Sequence, residues 1–178
     1  MQTFYSADRR GFYQAGGSLN LFLQSPRFPL QRSAAGATVQ QLQAHLQTLF
    51  PDGLSLHGWD YVADQNLSPR DVANDLLVEY VRRAAFPHQP SRLQAYFAFP
   101  TLAEVQVWAA TRPAGEIRGI YELNSSQPCR VDQAWLRMGT QGAHALYHAH
   151  QYWAEAASPS PNWEYILPPP VQVGARVV

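Results

Sequence analysis

The sequence predicts an α+β fold with a mostly antiparallel sheet. β-type runs stand at both ends of the chain, and amphipathic stretches with helix-start signals lie between them. The regular strand-helix-strand period of a doubly wound parallel sheet is missing. At 178 residues and 46% hydrophobic content, the chain is long enough to bury a core as one domain spanning 1–178.

Thr3-Phe4-Tyr5-Ser6 is β-prone, and Gly16-Gly17 punctuates it before Leu19, Leu21 and Leu23 alternate with Asn20, Phe22 and Gln24, which predicts two short strands around a turn. Residues 25–37, with Pro, Ser, Ala and Gly36, read as a surface loop. Thr38 with Gln41 forms a capping-box pattern, and Val39, Leu42, Leu46 and Leu49-Phe50 supply an apolar stripe up to Pro51-Asp52-Gly53. Ser68-Pro69 with Asp71 starts a second helix to about Ala85, with Val72, Leu76, Tyr80 and Ala84 as its buried face. Leu93 to Phe99 reads as a strand, followed by a helix capped by Thr101 and Glu104 with Leu102, Val105, Trp108 and Ala109 on one side. Residues 119–123 and 130–136 read as paired strands about an Asn-Ser-Ser-Gln-Pro turn. A last helix over roughly 141–156 and strands over 163–167 and 171–177 complete the chain.

Composition narrows the functions and leaves nucleic acid unsupported, not excluded. Thirteen basic residues balance thirteen acids, so charge makes no case for a duplex-tracking face. All thirteen are Arg; codon usage in a GC-rich genome explains this more simply than the avoidance of lysine-directed modification by a toxin-like effector. The single Cys129 and the lack of a charged-then-apolar leader point to a reducing interior, hence a cytoplasmic location. No run approaches the roughly 18 apolar residues of a membrane span, so no membrane partner is expected.

His144 and His148 have the four-residue spacing of a helical metal pair, yet they fall opposite the side marked by Leu146, Ala149 and Trp153, and no further ligand accompanies them. No metal is expected. Gly-x-Ser-x-Gly, Gly-x-Gly-x-x-Gly and the P-loop are all missing. The stretch Ser55-Leu56-His57-Gly58-Trp59-Asp60-Tyr61 reads either as a ligand-contacting loop or as a connector whose aromatics plug the core. Tyr96 and Phe97 end a strand where an aromatic could stack on a heterocycle or fill the core. The sharpest signal is Glu164, one carboxylate opening the apolar run Trp163-Glu164-Tyr165-Ile166-Leu167, because a buried charge is costly unless something compensates it.

Taken in order, Phe4-Tyr5-Ser6, the unit from Tyr96-Phe97-Ala98-Phe99 to Trp108, Tyr152-Trp153, and Glu164-Tyr165-Ile166-Leu167 with Val171-Gln172-Val173 resemble the ADP-ribosyltransferase superfamily. Within it the chain is most similar to a bacterial family, domain of unknown function 2441, whose Gly-x-Ser-x-His-Gly loop matches Gly53 to Gly58. The resemblance implies a split, mostly antiparallel sheet with flanking helices and NAD as co-substrate in the cleft. It also implies that Glu164 is the catalytic residue, a carboxylate that hydrogen-bonds the 2′-hydroxyl of the nicotinamide ribose and stabilises the charge developing on the sugar, without metal. It assigns NAD contacts to Tyr5, Ser6, Arg9, Ser55, His57, Gly58, Tyr96, Phe97 and Trp108. Ser6 stands where the superfamily commonly has His or Arg, and either Arg9 or His57 would supply the missing charged donor. Asn162 replaces the second acid of arginine-directed members, which disfavours arginine as acceptor. The implied activity is mono-ADP-ribosyl transfer to an unknown protein or nucleic-acid acceptor, or NAD hydrolysis. Its setting is a toxin or defence effector in the cytoplasm of its own or a target cell, with a cognate antitoxin or immunity protein. The alternatives are an inactive NAD- or ADP-ribose-binding module, and a scaffold in which Glu164 is a surface residue and the tryptophans are plain core.

Overall fold

The computed structural model describes residues 1–137 and 141–178 and confirms the α+β class. The strands are β1 (Gln2–Asp8), β2 (Ser18–Leu19), β3 (Tyr96–Ala98), β4 (Gly119–Ser125), β5 (Cys129–Asp132), β6 (Trp163–Leu167) and β7 (Val171–Arg176). The helices are α1 (Val39–Leu49), α2 (Leu56–Ala63), α3 (Pro69–Ala85), α4 (Leu102–Ala110) and α5 (Gly142–Trp153), with 3₁₀ turns at Arg92–Gln94 and Gln133–Leu136.

Among the described residues the strands form a four-stranded sheet in the order β1-β4-β7-β2 and a three-stranded sheet in the order β3-β6-β5, with every pairing antiparallel. β6 and β7 follow one another in the chain yet belong to different sheets. The run Pro168-Pro169-Pro170 between them lacks amide donors and cannot continue a ladder. The two sheets meet at one bridge, where the amides of Tyr5 and Phe99 each donate to the other's carbonyl at 2.9 and 2.8 Å. The Ser6 hydroxyl adds a 2.7 Å bond to the Phe97 carbonyl.

Strand alternation divides the core. Ile166 packs with Val78, Val81, Val131, Ala149, Tyr152 and Trp153 on the α3/α5 side, whereas its neighbour Leu167 packs with Phe4, Tyr96, Leu123, Val171 and Val173 between the sheets. Glu164 lies two residues from Ile166 and so shares the helix-facing side. A third cluster of Phe50, Leu54, Trp59 and Leu93 anchors α2.

Several elements differ from expectation. Strands 119–123 and 130–136 do not pair: β4 joins β1 through a seven-residue register and β5 joins β6, so a long-range ladder overrides the local turn signal. Residues 133–136 are a 3₁₀ turn, capped by the Asp132 side chain. Residues 56–61 are helical, because the Ser55 hydroxyl accepts from the Gly58 amide at 3.1 Å and starts α2. Residues 92–94 form a 3₁₀ turn, capped by Ser91, so the strand begins at Tyr96. The capping boxes at Thr38 and Thr101 form as read. The apolar stripe of α1, however, stays at least partly exposed, with only Phe50 at its C-cap turned inward. α3 buries Asp75, Val78, Glu79 and Val81, leaving Leu76 and Tyr80 exposed at 48% and 67%. On α5, Leu146 is exposed, and His148 is half-buried against the Trp135 ring at 5.2 Å. Leu21 and Leu23 lie outside a strand; Phe22 between them bridges to Leu54.

Candidate functional site

A cavity of about 400 Å³ opens where the two sheets diverge, a size within the roughly 300–1,000 Å³ of small-molecule sites. Its wall collects Ser6, Arg9, His57, Tyr96, Phe97, Trp108 and Glu164, residues spread over five elements and loops. Tyr5, Ser55 and Gly58 do not reach it. Tyr5 points to the face of β1 opposite Ser6, by the period-two alternation of a strand. Ser55 is fully buried, capping α2 and donating to the Leu93 carbonyl at 3.2 Å. Gly58 lies so close to the 3₁₀ turn that a Cβ would stand 2.0 Å from the Leu93 carbonyl oxygen. These two residues therefore position the turn that carries Arg92.

Arg92 organises the polar floor of the cavity. Its Nε donates to Asp75 Oδ1 at 3.0 Å, and its Nη1 donates to Glu164 Oε1 at 2.8 Å and to the Tyr152 hydroxyl. The guanidinium carbon lies 4.6 Å from the centre of the Phe97 ring, so the cation is also stacked. Tyr152 in turn donates to Glu164 Oε1 at 2.9 Å, and Gln133 Nε2 donates to Glu164 Oε2 at 3.1 Å. A carboxylate offers about four acceptor positions. Three are used by the described residues, which leaves one on Oε2. Glu164 is 4% exposed and Arg92 5%, so this is a desolvated network in which fields are strong.

The electrostatics follow from that burial. Burial alone would raise the Asp75 carboxyl, but the Arg92 guanidinium and His57 hold it well below the ordinary carboxylate range. Burial likewise opposes the Arg92 charge, yet Tyr152, Asp75 and Glu164 around it raise its affinity for the proton. Tyr152 is pushed upward, chiefly by desolvation, and stays a phenol that can donate. Two carboxylates around one guanidinium leave this network net negative, although further arginines line the same cavity. His57, whose side chain is 17% exposed, sits between the rings of Tyr61 and Phe97 at 4.6 Å from each. Desolvation lowers its basicity, so it stands neutral at pH 7 and is no cationic anchor. Besides Arg92, the arginines lining the cavity are Arg9, paired with Glu116; Arg10, paired with Asp60; Arg112, stacked on Trp108 at 4.6 Å; and Arg137.

Sequence reasoning missed Arg92, Asp75 and Gln133, and read Tyr152 as part of a motif without a role. The available signal was that Asp75 and Glu79 share a helical face with Val78, which two acids do only when buried cations meet them. Arg92 meets Asp75, and Arg82 and Arg83 meet Glu79. Among the described residues no helix is long and apolar enough to cross a membrane, and no group of His, Cys, Asp and Glu is arranged to hold a metal. No curated protein matches the chain. A family model does match, over residues 31–177, a span that holds Asp75, Arg92, Tyr152 and Glu164 but not β1, and the chain accordingly belongs to the family described as Protein of unknown function (DUF2441).

Proposed function

We propose that the protein is an NAD-consuming enzyme that breaks the nicotinamide-ribose bond, as a mono-ADP-ribosyltransferase or NAD glycohydrolase of ADP-ribosyltransferase-like fold. The observation that carries this is Glu164: a buried acid at the start of a late strand, locked by Arg92, Tyr152 and Gln133, with acceptor capacity left on Oε2 at a cavity wall. Cleavage of that bond builds positive charge on the sugar. A preorganised anion aimed there stabilises the charge as it develops, without solvent reorganisation. The net negative network has the required sign, and Oε2 would accept the 2′-hydroxyl of the ribose. Tyr96 and Phe97 offer aromatic walls for the pyridine ring. Arg9, Arg10 and Arg112 offer charge-assisted donors for phosphates, which Ser6 alone could not. Cytoplasmic toxin or defence action, with a protein or nucleic-acid acceptor and a cognate neutralising protein, is the setting this reading implies.

Free nicotinamide measured after mixing pure protein, NAD and cell lysate tests it. Wild type should release nicotinamide well above Glu164→Gln; equal release refutes the reading. A second reading, a binding module of the same fold, draws on the fact that Glu164 is already held by three donors. Calorimetric heat with NAD or ADP-ribose but no turnover would favour it.

A further inference from the structure

Lining the same cavity as Glu164 is a second polar group to which that reaction gives no task. His57 Nε2 is buried without a hydrogen-bond partner among the described residues and lies 4.0 Å from Asp75 Oδ1. Asp75 itself is pinned by Arg92. The imidazole is held edge-on by Phe97 and tilted against Tyr61, and it lines the same cavity as Glu164. Asp75 stands behind Nε2 at 4.0 Å, looser than a hydrogen bond; with an Nε2–H turned toward it, the ring would present Nδ1 as the base, the base-and-orienter arrangement that activates nucleophiles and that tightens when substrate binds.

Resting on the NAD reading, we propose that His57, oriented by Asp75, is the general base that takes the proton from the acceptor, and that the acceptor is a neutral hydroxyl: water or an alcohol group. In this step the acceptor oxygen bonds the anomeric carbon as the carbon-nitrogen bond to nicotinamide breaks. Nicotinamide leaves neutral with the bond's electron pair, and the hydroxyl proton passes to the imidazole, whose new positive charge faces Asp75. The acceptor class follows from what surrounds the base. The charged and titratable groups facing His57 are Asp75 from α3, Arg92 from the 3₁₀ turn, Arg10 after β1 and Tyr61 on its own helix. Burial keeps His57 a weaker base than an ordinary histidine, and a guanidinium or ammonium, which has no lone pair until it gives up a proton held far more tightly, cannot serve as acceptor to it. A carboxylate or pyridine acceptor carries no proton to remove and needs no base.

The test compares two acceptors supplied with NAD: methanol, which must lose a proton, and 3-acetylpyridine, which need not. His57→Gln should lower hydrolysis and methanolysis by roughly a hundredfold, the usual scale of general-base catalysis, while pyridine exchange changes little. In the wild type, acidification below the ordinary histidine value of 6.5 should suppress methanolysis but not exchange, since a loss in the bond-breaking step that both reactions share would depress both. Equal loss of both reactions in the variant, or methanolysis that survives it, overturns the role of His57. A wild type that performs neither reaction removes the NAD reading itself.

Discussion

Arg92 is the residue on which the site's stability turns. It separates two buried carboxylates, and removing one member of such a network leaves uncompensated charge in a poorly solvated place, at a cost of about 3–5 kcal/mol. Arg92→Gln should therefore lower stability in urea by that order, whereas Glu164→Gln, which deletes one of two anions and keeps the side chain's shape, should cost clearly less. Equal costs would mean that the guanidinium is not the balancing charge. The same network sets the acid response. The folded state holds Asp75 below the ordinary 3.8 and His57 below 6.5, so the unfolded chain binds more protons through both windows. Stability is then full above 6.5, declines as pH falls through the His57 window, and declines again as Asp75 is protonated. Denaturant midpoints taken from pH 7.5 to 5 should slope downward in the wild type and flatten in His57→Gln.

At the scale of elements, the approach of α2 to the 3₁₀ turn is the contact that places Arg92. Gly58→Ala sets a Cβ 2.0 Å from the Leu93 carbonyl oxygen, against backbone that has no rotamer to yield. The expected penalty is about 1–3 kcal/mol of overpacking; under the proposed activity, nicotinamide release should fall even where the protein stays folded, because the displaced turn carries the ion pair to Glu164. Unchanged activity with an unchanged melting temperature would show that the helix simply shifts aside. Elements were legible in the sequence where the signal was local. The Thr38-Gln41 and Thr101-Glu104 boxes, Ser68-Pro69 and the apolar run before Pro168 each stand where they were read. What failed was sidedness. An apolar count put Leu76 and Tyr80 on the buried face of α3, but ion pairs bury Asp75 and Glu79 instead; the partner of Asp75, Arg92, stands 17 residues away, where a helical period does not reach. The site shared that fate. Glu164 announced itself as a lone acid in an apolar strand, while Arg92 was one of thirteen arginines with nothing local to distinguish it.

At the scale of the whole molecule, family boundary and physical boundary disagree. The family match begins at residue 31, yet β1 lies before it. β1 pairs with β4 along its full length, from Gln2 opposite Ser125 to Asp8 opposite Gly119, and inserts Phe4, fully buried, between the sheets. It also carries the Tyr5-Phe99 bridge and the Ser6-Phe97 bond, which fix where the sheets part and hence where the cavity opens. β2, also outside the match, closes the far edge against β7. A chain of residues 31–178 would expose both edges of the β4-β7 pair, and two-stranded sheets are at best marginal in water. It would lose in addition the cavity wall formed by Ser6, Asp8, Arg9 and Arg10. The expected outcome is a truncated protein that melts without cooperativity and, under the NAD reading proposed above, binds no NAD, read by circular dichroism and calorimetry beside the full chain. A truncated chain that melts cooperatively near the full-length temperature would show that the helix-backed three-stranded sheet is the folding unit, with the N-terminal strands only an addition to it.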